Sequence, residues 1–295
     1  MTASRMLARY LAALISPITI GRPEFGPLNL DLLACRLGAR DVTYRAAILA
    51  GFTDWSGDGP IIQIGLSRSE GRRRATLAHE CGHLILDPIL ETPAYQCASS
   101  SLMATHEARI ADLLAVEPST IRRKIQSVNI ETLCDKVAIE FMLPESVLST
   151  LISQVRDLRT LLDAASRWRV SLAMLTNRLA DVGEDYTLLR MVPTKAESWV
   201  CASASGLRTR NHGFIEWLNP PKEIGTRRHI RQLNVTLAYR DTVQTVAAET
   251  FSTGHQSLLL LRSFRAIHER VMASGAKPGS PHASEYQRMP QIGDS

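Results

Sequence analysis

Disulfide spacing is missing from this chain of 295 residues, whose five cysteines, Cys35, Cys81, Cys97, Cys134 and Cys201, include no C-x-x-C pair. That excludes a disulfide framework and a cysteine-rich structural zinc motif. Long hydrophobic runs are missing too. The nearest, Leu11 to Ile20 behind Arg5 and Arg9, is broken by Pro17, has no clear small-x-small cleavage site and is too short to span a bilayer. It reads as an N-terminal helix and the chain as a soluble, cytoplasmic protein, which the thiol usage permits. There is no internal repeat, and 45% hydrophobic residues suffice for one large core or two modest ones.

An excess of one charge is also absent from most of the chain: Lys and Arg balance Asp and Glu at 21 each through residue 190. Residues 191 to 295 hold 13 basic against 8 acidic residues, so the whole net charge of +5 lies there. Its densest cluster is Arg227, Arg228, His229 and Arg231, with Arg208 and Arg210 nearby in sequence. A solvated face is the commonest origin of such a cluster; the functional readings are contact with nucleic acid or with an acidic protein.

What is present is His79-Glu80-Cys81-Gly82-His83, an H-E-x-x-H sequence inside a helical pattern. Residues four apart share a helix face, so His79 and His83 can turn both imidazoles to one zinc ion. Glu80 lies about 100° round from His79 and can reach a metal-bound water as a general base. The strand Pro60 to Leu66 comes first, Ser67 or Ser69 offers an N-cap, and Pro88 should stop the helix by Leu86 or Asp87. Leu77, Ala78, Cys81, Leu84 and Ile85 form its packing arc, almost opposite the histidines.

Catalytic zinc sites usually have three protein ligands, so one must come from elsewhere. Glu131 to Leu143 is a helical stretch ended by Pro144, with Leu133, Cys134, Val137 and Phe141 on one arc and Glu131, Asp135, Ala138 and Met142 on another. Carboxylates on an otherwise apolar arc need a partner, and a metal ligand with a helper carboxylate suits that face. Asp135 could ligate in place of Glu131. Asp87 continues the histidine face and is a third candidate, although Pro88 follows it. His106-Glu107 resembles the start of a second motif, but Ile110 stands where its second histidine would be. Cys81 and Cys134 read as small buried hydrophobes, with a redox switch at the metal as the alternative.

The stretch from Ile61 to Pro144 resembles the ImmA/IrrE family of metallopeptidases. Their pattern is a strand, a basic segment, H-E-x-G-H-x-x-L and then E-x-x-A-[ND]-x-F-A-x-x-L-L-M-P. Arg72 to Leu86 matches the first half, including Gly82. Glu131, Asp135, Ala138, Met142 and Pro144 match the second, with Cys134 replacing the usual alanine and Val137 the usual phenylalanine. The resemblance implies Glu131 as third zinc ligand, ahead of the rivals Asp135 and Asp87 that helical spacing alone leaves open. His83 and Glu131 are farther apart than expected for the family, and residues 97–129 read as an insertion. It contains a turn at Ser99 to Ser101, a helix from His106 to Val116 and a helix start at Pro118.

These readings give an α+β protein: a mostly helical zincin-like domain with a small sheet over residues 1–183, a sheet-rich domain over 184–275 and a disordered tail over 276–295. Helices fill Glu145 to Val182, and Trp168 to Leu179 resembles the terminal helix of the family, with Ser171 as N-cap. Strands are expected at Tyr186 to Val192, Ser198 to Ala204, Gln232 to Tyr239, Thr242 to Phe251 and Ser257 to Phe264, followed by a helix from Arg265 to Met272. The implied function is a zinc-dependent endopeptidase cutting a helix-turn-helix repressor in a prokaryotic stress or mobile-element circuit, with the C-terminal domain as sensor or docking module. The alternative is a non-catalytic, zinc-stabilised regulator that binds a repressor or DNA through its basic C-terminal part.

Overall fold

A computed structural model of the protein describes residues 11, 26–66, 69–114, 129–183, 186–194, 199–205, 215–218, 220, 230–239, 242–252 and 256–262. The expected N-terminal helix beyond Leu11, the helix start at Pro118, the helix from Arg265, the tail and the basic cluster other than Arg231 lie outside the described residues. Two compact units divide the rest: one from Met1–Leu151 with Ala164–Ser171, the other from Ile152–Asp163 with Leu172–Ser295.

In the first unit α1 (Leu30–Leu37) leads into a three-stranded sheet of β1 (Asp41–Arg45), β2 (Gly51–Asp54) and β3 (Ile61–Gly65). Asn29 caps α1 by accepting from the Leu32 N–H, and Gly38 ends it in the left-handed region at φ 105°, where a side chain would be strained. The sheet order is β1-β3-β2, with β1 parallel and β2 antiparallel to β3. Ile62 and Ile64 on the central strand are fully buried, so β3 anchors the sheet and β2 is left at an edge.

The long helix α2 (Glu70–Leu90) carries the H-E-x-x-H residues. It is followed by α3 (Pro93–Gln96), α4 (Ser100–Leu114) and α5 (Ile130–Met142), which packs against α2. The expectation that Pro88 ends α2 is overturned: the helix runs through it to Leu90. A proline at position 88 has no N–H for the Leu84 carbonyl, which in a helix interior costs about 3 kcal/mol. Here the Leu84 carbonyl accepts instead from Nε2 of His106 on α4, at 2.8 Å. That bond restores the lost partner, and burial of Leu86, Ile89 and Pro88 itself supplies the rest. The helix expected from His106 begins earlier, at Ser100.

The helices α6 (Glu145–Gln154), α7 (Leu158–Trp168) and α8 (Leu172–Asp181) follow. The second unit contains β4 (Tyr186–Pro193), β5 (Trp199–Ser205), β6 (Ile215–Trp217), β7 (Arg231–Tyr239), β8 (Thr242–Ser252) and β9 (Ser257–Arg262), which close into an antiparallel barrel in sequence order. The β4–β9 pairing from Tyr186↔Arg262 to Met191↔Ser257 closes it. Leu189, Met191, Trp199, Ile215, Trp217, Val235, Leu237, Ala248, Leu259 and Leu261 form its core, so the interior is packed. Five of these strands are the expected ones with shifted ends. The sixth, β6, is only three residues long, and its Ile215 and Trp217 point inward. The β6 seam is short: among the described residues it pairs only with Trp199 and Val200 of β5 and with Leu237 to Tyr239 of β7.

Candidate metal centre

α2 meets α5 where Gly82 faces Cys134. A Cβ at Gly82 would lie 3.1 Å from the Cys134 Cα and 3.2 Å from its Sγ, so glycine is what allows the helices this close. Asn29-type capping recurs at the start of α5, where the Asn129 side chain accepts from the Thr132 N–H. The first turn of α5 thereby places Glu131 beside the histidines of α2.

Three donor groups converge there. Nε2 of His79 and Nε2 of His83 are 3.2 Å apart, Glu131 Oε2 lies 3.2 Å from the first, and Glu131 Oε1 lies 3.5 Å from the second. Zinc–nitrogen and zinc–oxygen bonds of about 2.0–2.1 Å give a tetrahedral edge of about 3.3–3.4 Å, so the spacing fits a zinc ion. The other ring nitrogens are engaged: His79 Nδ1 meets Asp135 Oδ1 at 2.8 Å and His83 Nδ1 meets Asp87 Oδ1 at 3.0 Å. With each Nδ1–H donating to its carboxylate, both Nε2 atoms turn lone pairs toward each other and toward Glu131. Such a convergence needs a cation or a proton between its members. Asp87 and Asp135, candidate ligands in the sequence, therefore stand on the far side of the imidazoles from the convergence point.

Asp87 is itself held. Its Oδ2 accepts from the Trp55 indole N–H at 3.1 Å, and the Trp55 ring packs edge-on against Tyr95 at 4.9 Å and His106 at 5.0 Å. His106 thus both braces this aromatic group and completes α2; the helix expected as part of an insertion buttresses the site. Neither Trp55 nor this use of His106 carries a sequence signal, since the contacts join distant segments.

Glu80 is buried, and burial pushes its pKa above the usual carboxylate value, against the lowering influence of the two histidines and a hydrogen bond from Thr53 Oγ1 at 2.9 Å. Thr53 was likewise missed in the sequence. Burial lowers the pKa of His83, but the hydrogen bonds to Asp87 and Cys134 and their charges outweigh it and bring it up to about 11. His79 is also raised: burial acts downward and the Asp135 hydrogen bond and Glu80 charge prevail. Both shifts favour the cationic imidazole in the metal-free protein.

A second grouping shares the histidines. The ligand atoms of His79, His83 and Cys134 all lie within 4.8 Å of one another. The trio with Glu131 is tighter and already at coordination spacing, so it is the better fit to an ion. Burial pushes the Cys134 thiol up to about 11, although contact with His83 lowers it. A cleft of about 560 Å³ opens over the centre, lined by Phe52, Thr53, Ala75, Thr76, Ala94 and the site residues.

Two imidazoles from H-E-x-x-H, a carboxylate from a neighbouring helix and a buried glutamate under a cleft are the groups that a metallopeptidase-type site uses. The family model described as Peptidase_M78, IrrE N-terminal-like domain, matches residues 29–180, and the chain belongs to this family of peptidases. Its metal dependence agrees with the donor set found here. No curated protein sequence matches the chain. Among solved structures, a Mycobacterium tuberculosis transcriptional regulator superposes with a TM-score of 0.42 at 13% identity, covering 95% of this chain and 82% of that one. Among the described residues, no helix is long and apolar enough to cross a membrane.

Proposed function

We propose that the protein is a zinc-dependent endopeptidase in which His79, His83 and Glu131 hold the metal and Glu80 is the catalytic base. What carries the reading is the convergence of three metal-binding side chains at 3.2, 3.2 and 3.5 Å beside a buried carboxylate. Asp135 and Asp87 fix the imidazole orientations and raise their basicity. When bound, zinc would lower the pKa of a water molecule and polarise the scissile carbonyl. Glu80 takes a proton from the attacking water and delivers it to the leaving amine. Its raised pKa suits both tasks, and the Thr53 hydroxyl holds one oxygen in place so that the other faces the cleft.

The substrate would be an extended segment. β2 is an edge strand, and its residues Gly51 to Thr53 line the cleft, so a peptide can add to that edge through main-chain hydrogen bonds. We take this substrate to be a helix-turn-helix repressor cut at one place, within a prokaryotic stress or mobile-element circuit. Residues 184–275 would form the sensor or docking domain beside a metallopeptidase domain over 1–183.

The test is zinc content and repressor cleavage in parallel. Wild type and Glu80→Gln should each hold about one zinc per chain, His79→Ala and Glu131→Ala much less, and only wild type should cut any member of a panel of helix-turn-helix repressors. Zinc-free wild type would end the reading. A Glu80→Gln protein with full biological effect would favour a zinc-stabilised binding regulator instead.

A further inference from the structure

Cys134 stands one helical turn beyond Glu131 on α5 and is fully buried. Its Sγ belongs to a group with the His79 and His83 ligand atoms in which no separation exceeds 4.8 Å. The thiol is therefore aimed at the same imidazoles that face Glu131, from the helix interface instead of the cleft. Cys81, the other buried thiol on these helices, is directed elsewhere, toward the Leu30 carbonyl at 4.0 Å.

We propose that Cys134 is a further metal ligand, which closes the site into a resting set of His79, His83, Glu131 and Cys134. The proposal rests on the metal reading above. A zinc–sulfur bond of about 2.3 Å beside zinc–nitrogen bonds of about 2.0–2.1 Å requires sulfur–nitrogen separations of about 3.5 Å, so roughly an ångström of side-chain adjustment completes the set. The thiol gives up its proton on ligation. Charge favours the outcome: a dication with two neutral imidazoles and one carboxylate keeps one positive charge, which a thiolate cancels in this half-buried place. Four protein ligands mark closed sites, whereas hydrolysis needs a position for water. The closed set is consequently latent, and release of the sulfur opens it.

Cobalt(II) substitution tests this without relying on activity. Cobalt bound to thiolate has a sulfur-to-metal charge-transfer absorption in the near ultraviolet, separate from the visible bands of the bound ion. The wild-type cobalt protein and Cys81→Ala should both show it, and Cys134→Ala should lose it while keeping the visible bands. X-ray absorption at the zinc edge of wild type should find one sulfur neighbour, and this holds as a check even where Cys134→Ala folds poorly. Visible bands with no charge-transfer absorption in wild type, or zinc with no sulfur neighbour, would overturn the proposal and leave the His79, His83 and Glu131 site standing. Wild type that takes up neither metal would defeat both.

Discussion

His106 supplies the hydrogen bond that Pro88 withholds: its Nε2 meets the Leu84 carbonyl at 2.8 Å, and the side chain is only 3% exposed. The pair explains how α2 passes through a proline and so delivers Asp87 in helical geometry, four residues after His83.

His106→Leu should destabilise the protein by about 1–3 kcal/mol, because a buried carbonyl is left without a donor. Pro88→Ala returns a backbone N–H to the same carbonyl. Urea denaturation of the two single variants and the double variant should therefore show coupling, with the His106→Leu loss smaller when residue 88 is alanine. Equal losses in both backgrounds would mean that the imidazole does not compensate for the proline.

Trp55 acts on the metal through two other residues, its indole N–H binding Asp87 and Asp87 binding His83. Trp55→Phe keeps the ring against Tyr95 and His106 but removes the donor. Loss of such a supporting bond typically weakens metal binding 10–100-fold, so zinc affinity measured against a competing chelator should fall by about that factor. Asp87→Asn should act in the same direction, and the double variant should be little worse than the more damaging single one. Unchanged affinity in Trp55→Phe would show that Asp87 needs no anchor.

The histidines, Glu80 and Glu131 were legible because local helix periodicity puts each on a definable face, and the family pattern then joined the two faces. Asp135 was legible for the same reason, although which imidazole nitrogen it would meet was not. Trp55, Thr53 and His106 were invisible because their roles arise from contacts between residues 22 to 32 positions apart. Pro88 was misread for the same cause: the rule that a proline ends a helix presumes that nothing else satisfies the freed carbonyl. In the barrel, strand-forming runs bounded by turn residues marked five strands, while Ile215-Glu216-Trp217 is too short to carry such a signal and becomes a strand only between β5 and β7.

Thr53 tunes the base. Its hydroxyl donates to Glu80 at 2.9 Å and holds the carboxyl pKa down against the effect of burial. Thr53→Val keeps the shape but removes the donor, so the Glu80 pKa should rise further and the acid limb of the pH profile for kcat/KM should move to higher pH. Folding and zinc content should stay near wild type. An unmoved acid limb would mean that another group controls it.

The raised pKa values of His79 and His83 set a pH dependence with a definite sign. In the metal-free protein each folded value lies above the unfolded value of 6.5, with His83 at about 11. Their contribution to stability is then complete below pH 6.5 and is lost as pH rises through the folded values. One such proton corresponds to a slope of about 1.4 kcal/mol per pH unit. Between pH 7 and 8.5, where Glu80 in its unfolded form is fully ionised, metal-free protein should lose stability to urea steadily. Zinc must displace those protons, so its affinity and the stabilisation it confers should grow over the same interval. Denaturation at both pH values, with chelator and with zinc, checks the two trends together. Metal-free protein that is equally stable at pH 7 and 8.5 would show that the imidazoles do not share protons with Asp87 and Asp135, and zinc stabilisation that falls with rising pH would exclude them as the ligands that zinc deprotonates.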